Sequence, residues 1–429
     1  MVFNIGLLGL GTVGTGTAEI ILDSEGRNPL LKEIKIARVG VRSLESPRAV
    51  ELPRGVMTSD LEAIVTDRDI DIVVELIGGL EPARSLILKA IANGKHIVTA
   101  NKAVIARYGD EIYTAANKAG VYVLLEGAVG GGIPVIKPLK QSLGVNRIQS
   151  VIGIVNGTTN YILTKMAAEG LDFADVLAEA QQLGYAEADP SADVDGGDAA
   201  DKISILAAIA FGERVKRDEI SCEGIRQISA TDITYAEDLN FVIKLLAIAK
   251  KDPGQLLQIR VHPTLVPQDH PLANINDVYN AILVEGEPLG QVMFFGPGAG
   301  KGATASAVVS DIVNIVGILK SSNGSQKLDP LLSCSHQHYA TLLPLDEITT
   351  RFYTRFLCQD VPGVIGYLGT CFGKHNVSLE SVVQIGFQDK LAEIVVVTHD
   401  VKEGAFRQAL KEIADLEAIS GIPSIIRVL

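Results

Sequence analysis

Basic residues are in short supply. The 429-residue chain has 38 Lys and Arg against 51 Asp and Glu, a net charge of −13. Nucleic acid and anionic membrane are bound through clustered Lys and Arg, so neither is an expected partner. Long apolar runs are missing as well. Mean hydropathy is positive, yet no run approaches the roughly 18 apolar residues needed to span a bilayer. The apolar N-terminus is broken by glycines and lacks the basic start and cleavage site of an export signal. Cysteine is sparse: Cys222, Cys334, Cys358 and Cys371 are widely spaced, which fits free thiols in a reducing cytoplasm rather than a disulfide framework. Metal ligands are thin too. His336-x-His338 with Cys334 has no fourth ligand at metal spacing and reads as linker, and the other histidines support no triad.

What is present is a globular composition, 47% hydrophobic and 21% charged, in a chain long enough for two or three domains. Val2 to Leu8 is a branched apolar run, as expected of a parallel strand covered on both faces. It enters Gly9-Leu10-Gly11-Thr12-Val13-Gly14 and then the helical stretch TGTAEIILDS. Strand, G-x-G-x-x-G, helix is the order of a dinucleotide site. Gly9 makes the tight turn, Gly11 admits pyrophosphate to the backbone and Gly14 lets helix and strand pack, with the helix N-terminus facing the phosphates. A second strand over Lys35 to Val41 ends in Gly40-Val41-Arg42-Ser43. A carboxylate at that strand end accepts from the ribose 2′-hydroxyl of NAD, whereas a guanidinium holds a 2′-phosphate, so Arg42 favours NADP with NAD as the alternative. Glu45 close by works against that sign.

Further βα alternation follows: a strand over Asp71–Leu76 with the turn Gly78-Gly79, a helix over Ala83–Ala92, strands over His96–Thr99 and Val121–Leu125. Lys102 follows a strand's carboxyl end, where open α/β sheets bind ligands, although most loop lysines are merely solvated. The loop Glu126 to Pro134 has little side-chain chemistry. It reads as a crossover between domains or as main-chain carbonyls able to ligate a hard cation beside Glu126.

In the middle section a strand over 147–155 leads into the polar turn Asn156 to Asn160, the helix YILTKMAAEG, and a helix over Asp175–Leu183 stopped by Gly184. The stretch AEADPSADVDGGDAADK, Ala186 to Lys202, is acidic up to its last residue and is followed at once by the apolar ISILAAIAF. A helix over Gly197–Phe211 puts Asp198 and Lys202 one turn apart on one face. Such pairs are ordinarily surface ion pairs worth a few tenths of a kcal/mol. A helix apolar nearly all round is buried, however, and desolvation moves an amine toward the range of proton transfer, while the neighbouring Glu187, Asp193 and Asp195 oppose that shift. The surplus of carboxylates suits a cationic ligand group such as an α-ammonium.

The segment Ala180-Gln181-Gln182-Leu183-Gly184-Tyr185-Ala186-Glu187-Ala188-Asp189-Pro190, continuing through Asp193, Gly196, Asp198 and Lys202, closely resembles the signature of the homoserine dehydrogenase family. GLLGLGTVG (6–14), ANKA (100–103), EGAVGGGIP (126–134), NGTTNYIL (156–163) and FGPGAGKGATASAVVSDI (295–312) extend the resemblance over essentially the whole chain, in family order. The resemblance implies an NAD(P)-dependent oxidoreductase that reduces aspartate 4-semialdehyde to homoserine, with Lys202 giving the proton to the carbonyl oxygen. Asp198 and Glu187 would hold the substrate's polar groups, and Lys102 would lie between substrate and cofactor. Gly184, Glu187 and Gly300 would line the cofactor side beside Gly9, Gly11, Thr12, Val13, Gly14 and Arg42. The Glu126 loop looks like the family's site for a monovalent cation such as sodium, with carbonyl oxygens from Val129, Gly131 and Ile133. A homodimer or homotetramer is expected on the same ground. Two other readings stand beside it: a non-catalytic amino-acid sensor on a dehydrogenase scaffold, and a dehydrogenase for another small aldehyde.

Residues 321 to 347 are rich in Ser, Asn, Gln and Pro and suggest a junction. Beyond it, strands over Arg351–Cys358, Val377–Ile385, Ala392–Thr398 and Ser424–Val428, with helices from Val364 to Lys374 and over Glu403–Ala414, give a βαββαβ order. This resembles an ACT domain, with Asp360-Val361-Pro362-Gly363 at the loop that receives an amino-acid effector. The resemblance implies feedback by L-threonine; the bland alternative is a docking module that binds nothing. The fold class is thus α/β: a Rossmann-type domain over 1–130, an α+β substrate and dimerisation domain over 131–320 with a return to the first domain near 295–320, a linker over 321–350, and a ferredoxin-like module over 351–429.

Overall fold

The computed structural model describes residues 2–252, 254–321, 328–334, 336, 338–388 and 390–429; residues 322–327, 335 and 337 of the expected linker lie outside the described residues. The chain opens with β1 (Phe3–Leu8), α1 (Thr12–Leu22), β2 (Ile34–Gly40), β3 (Met57–Thr58), α2 (Leu61–Thr66), β4 (Ile72–Glu75), α3 (Ala83–Ala92), β5 (His96–Thr99), α4 (Lys102–Ala119) and β6 (Val123–Leu124). It continues through β7 (Arg147–Ile154), α5 (Gly157–Glu169), α6 (Phe173–Gln182), α7 (Ser191–Val194), α8 (Gly197–Phe211), β8 (Ser221–Cys222), α9 (Ala230–Asp238), β9 (Phe241–Lys251) and β10 (Leu257–Pro267). Next come β11 (Tyr279–Glu287), β12 (Gly290–Pro297) and α10 (Lys301–Ser321). The C-terminal part holds β13 (Thr349–Cys358), α11 (Val364–Lys374), β14 (Leu379–Gln388), β15 (Leu391–Thr398), β16 (Val401–Lys402), α12 (Glu403–Ala414) and β17 (Ile419–Val428).

Two compact units result. The first comprises Met1–Val151, Asp201–Asp218 and Asn280–Ala340; the second Ile152–Ala200, Glu219–Tyr279 and Thr341–Leu429. The first unit is built on a sheet in the order β3-β2-β1-β4-β5-β6, parallel throughout. The strand order reverses between β1 and β4, so their carboxyl ends open a crevice at the topological switch point. Burial explains the strands: Ile5, Leu7, Ile72, Val74 and Val98 are each fully buried and cluster in one core. α10 completes that core. By length and composition it is long and apolar enough to cross a membrane, which the sequence reading did not anticipate. Its Val308, Ile312, Ile315 and Val316 are fully buried in the same core as β1, as a core helix of this composition requires.

In the second unit β9 and β10 form a long antiparallel hairpin, in register from Phe241↔Pro267 to Lys251↔Leu257. β17 runs parallel to β10 and antiparallel to β13, and β15 and β14 follow. With α11 and α12, these C-terminal strands make the expected βαββαβ module. Both helices pack on the Phe352 and Phe356 side of its sheet, where Phe352 stacks on Phe406 at 3.9 Å between ring centroids.

Some boundaries differ from the sequence reading for local reasons. α1 begins at Thr12, inside the glycine motif, so the motif's last residues are its first turn. The turn Asn156 to Asn160 is in fact the start of α5, because the Asn156 side chain accepts from the Thr159 amide and caps the helix.

Candidate active site

The crevice at the carboxyl ends of β1 and β4 is a cavity of about 560 Å³ lined by Gly9, Gly11, Arg42, Arg48 and Leu76, among others. Gly9 has φ +101°, in the region that favours glycine, and donates its amide to the Gly40 oxygen at 2.9 Å. At Gly14 a Cβ would fall 2.2 Å from the Gly9 oxygen, so only glycine lets α1 start this close under the turn. At Gly11, by contrast, a Cβ would meet nothing within 4 Å. Gly11 is the N-cap of α1 and offers no side-chain acceptor, so the first-turn amides at Thr12 and Val13 suit an anionic group. The cavity is shaped as a dinucleotide cradle.

Arg42 lines the cavity at the end of β2, and Arg48 joins it. The Arg48 Nη2 donates to the Ser43 oxygen at 2.6 Å, which closes the Arg42–Arg48 loop on itself. Two guanidiniums at one mouth strengthen the case for a 2′-phosphate; Arg48 lies in a loop whose return could not be read from spacing. Glu75 was also not anticipated. Fully buried at the end of β4, it accepts from Thr99 Oγ1 at 2.7 Å and from the Ile77 and Gly78 amides at 3.0 and 3.2 Å. Burial raises its pKa, with those hydrogen bonds pulling the other way. Its role is to hold the switch-point turn. Lys102 is the first residue of α4, behind the cap Asn101, whose side chain accepts from the Val104 amide and donates to the Gly79 oxygen. Lys102 therefore sits at a helix start fastened to the Gly78-Gly79 turn. Gly300 has φ +117° and accepts from the Thr304 amide at the start of α10.

The acidic stretch divides into separate functions. In the second unit, Asn156 Nδ2 donates to Asp193 Oδ1 at 2.7 Å and to Asp198 Oδ2 at 2.9 Å. One amide thus holds two carboxylates that would otherwise repel. Asp195 is taken up by Arg226 at 2.5 Å. Glu187 is exposed, and its main-chain oxygen accepts from Gln181 Nε2 at 3.0 Å; Gly184, with φ +77°, follows the end of α6. In the first unit, Asp201 is buried between Arg217 at 2.7 Å and Arg107 at 3.0 Å. Asp195 and Asp201 are therefore paired locally, which narrows the carboxylate surplus to Glu187, Asp189, Asp193 and Asp198. α8 is unbroken from Gly197 to Phe211, so Asp198 and Lys202 lie one turn apart on it. They are 7% and 8% exposed, so the lysine does not belong to a solvated helix end.

At the Glu126 loop the carboxylate is spent on the chain itself. Oε1 accepts from the Val135 and Ile136 amides at 2.7 and 2.8 Å, and Oε2 from the Lys137 amide at 3.0 Å. The Glu126 amide in turn donates to Asp311 Oδ2 at 2.7 Å. Burial pushes the Asp311 carboxyl up to about 6, against the pull of Lys137 at 3.0 Å. The loop's own turns use the oxygens of Leu125 and Gly130, and the Gly132 amide donates to the Pro297 oxygen of β12. Arg214 binds the oxygens of His336 and His338 at 2.8 Å each, and no cluster of metal-ligating side chains occurs among the described residues. All four cysteines are free.

Residues 9–126 match the NAD-binding domain of homoserine dehydrogenase, 134–313 the homoserine dehydrogenase family itself, and 352–418 the ACT domain. A homoserine dehydrogenase from Synechocystis is 70% identical over 432 residues, covering all of both chains. The chain belongs to the homoserine dehydrogenase family. It is an NAD(P)-dependent oxidoreductase acting on a CH–OH group, which removes the non-catalytic sensor reading. A homoserine dehydrogenase structure from Thiobacillus denitrificans matches with a TM-score of 0.94 at 41% identity, covering 100% of this chain and 98% of that one. A hyperthermophilic archaeal homoserine dehydrogenase in complex with NADPH matches with a TM-score of 0.63 at 30% identity, over 75% of this chain and 98% of that one.

Proposed function

We propose that this homoserine dehydrogenase works with NADPH in preference to NADH, in the route to threonine and methionine, and that Lys202 is its proton donor. A bound dihydronicotinamide supplies the hydride. The ammonium of Lys202 gives its proton to the carbonyl oxygen of L-aspartate 4-semialdehyde, and in the reverse direction the amine takes the homoserine hydroxyl proton. Asp198 and Glu187 hold the substrate's α-ammonium, and Lys102 bridges substrate and cofactor. Gly184, Glu187 and Gly300 flank the cofactor. The observation that carries the reading is the burial of Lys202 one turn from Asp198, whose carboxylate Asn156 fixes.

A monovalent cation would rest on the carbonyls of Val129, Gly131 and Ile133. Glu126 would add its main-chain oxygen, since its carboxylate already accepts from three amides. The ACT domain takes L-threonine at the loop Asp360 to Gly363, where Val361 is 47% exposed and Gly363 has φ +97°. The enzyme acts in the cytoplasm as a homodimer or homotetramer.

Steady-state kinetics with NADPH and NADH, with threonine titrated in, test these points together. NADPH is expected to give the higher kcat/KM, and threonine to lower the rate; equal constants for the two cofactors or indifference to threonine would remove the respective part. Arg42→Ala is expected to raise KM for NADPH about tenfold, the value of one charge-assisted contact, and to leave KM for NADH within twofold. An equal change for both cofactors would take Arg42 away from the 2′-phosphate.

A further inference from the structure

The C-terminal module is tied to the acidic turn by a short chain of contacts within the second unit. Arg427 on β17, 3% exposed, donates Nη1 and Nη2 to the two oxygens of Glu223 at 2.9 and 2.8 Å. It also bonds Glu403 at the start of α12, through Nε at 3.0 Å and Nη2 at 2.5 Å. Glu223 is outside the module, just past β8, and its amide donates to the Val261 oxygen of β10 at 2.8 Å. The next two residues bear directly on the acidic turn. A Cβ at Gly224 would lie 2.1 Å from the Val194 oxygen, and the Ile225 amide donates to that same oxygen at 2.9 Å. Arg226 then clamps Asp195. The turn so gripped carries Asp193, which shares the Asn156 amide with Asp198.

We propose that Glu223 is a positioning residue for the reaction: held by Arg427 of the C-terminal module, it fixes the turn of Asp193 and, through Asn156, the carboxylate of Asp198. The inference rests on Asp198 being a substrate ligand. The bidentate pair is the stiff link, because a planar guanidinium and a carboxylate joined by two bonds fix orientation as well as distance. Among the described contacts, the buried bridge Arg355 to Asp232, also from the module, ends on α9 and does not reach this turn. Glu223 is thus the point at which a shift of β17 or α12 is passed to the Asp198 carboxylate.

The test compares the full-length enzyme with Glu223→Gln, Gly224→Ala and Glu412→Gln, reading KM for the semialdehyde, KM for NADPH and thermal midpoint. Glu412 pairs with Lys374 and His375 inside the module and serves as the control. Glu223→Gln is expected to raise KM for the semialdehyde about five- to tenfold, with KM for NADPH within twofold and Glu412→Gln unchanged. A wild-type KM for the semialdehyde, or equal changes in both KM values, overturns the proposal. Should Glu223→Gln not fold, Gly224→Ala decides, since its methyl pushes on the Val194 oxygen directly: the same split supports the proposal and wild-type constants overturn it. A wild-type enzyme that fails to turn over the semialdehyde defeats the substrate assignment instead, which the first measurement reveals.

Discussion

Replacing Lys202 by alanine is expected to lower turnover of aspartate 4-semialdehyde at least about 100-fold, the usual cost of losing a general acid, with NADPH binding retained. Hydride addition turns the carbonyl oxygen into an alkoxide, which needs a proton from a group already in place. Lys202 is 8% exposed, so bulk water is a poor substitute. Alanine is the best helix former, so α8 persists and the loss reports on chemistry rather than on folding. Single-turnover NADPH oxidation together with a fluorescence titration of NADPH separates the two. Wild-type-like turnover would remove Lys202 from the mechanism.

The second large effect concerns stability. Arg355 on β13 is buried between Asp232 at 3.0 Å and Glu393 at 2.8 Å, with side-chain exposures of 6%, 0% and 5%. Tyr235 reaches the same Glu393, at 2.5 Å. Arg355→Met leaves two buried carboxylates without their cation and is expected to destabilise the fold by about 3–5 kcal/mol. In a unit of this size that is a fall in thermal midpoint on the order of 10 °C. Adding Asp232→Asn and Glu393→Gln should recover much of it, because neutral groups no longer need the charge. A loss below about 1 kcal/mol in Arg355→Met would show that water or a rearranged partner satisfies the carboxylates.

The parts legible in the sequence are those whose chemistry is local. Gly9, Gly11 and Gly14 act within one turn, so the dinucleotide cradle could be read from six residues. Asp198 and Lys202 share a helix face by spacing alone, and their burial follows from the apolar residues after them. What was not legible depends on long-range pairing. Asn156 lies 42 positions from Asp198, and Arg107 lies 94 from Asp201, so no spacing rule links them. The β9–β10 hairpin escaped for another reason. FVIKLLAIAKK is apolar without alternation because most of its residues are buried, and such a run has no period to distinguish strand from helix. At Glu126 the sequence offered a crossover or a cation site and gave no sign that the carboxylate caps three amides, a partnership set by how the chain turns back at Val135.

The central claim is that Asp198, fixed by Asn156, and Glu187 select an aminated aldehyde that Lys202 protonates. It is tested most directly by stopped-flow NADPH oxidation with aspartate 4-semialdehyde and with succinic semialdehyde, which lacks only the amine. The account predicts a kcat/KM at least about 100-fold higher for the aminated aldehyde, because its absence leaves the acidic groups unpaired. Equal rates with the two aldehydes would contradict it.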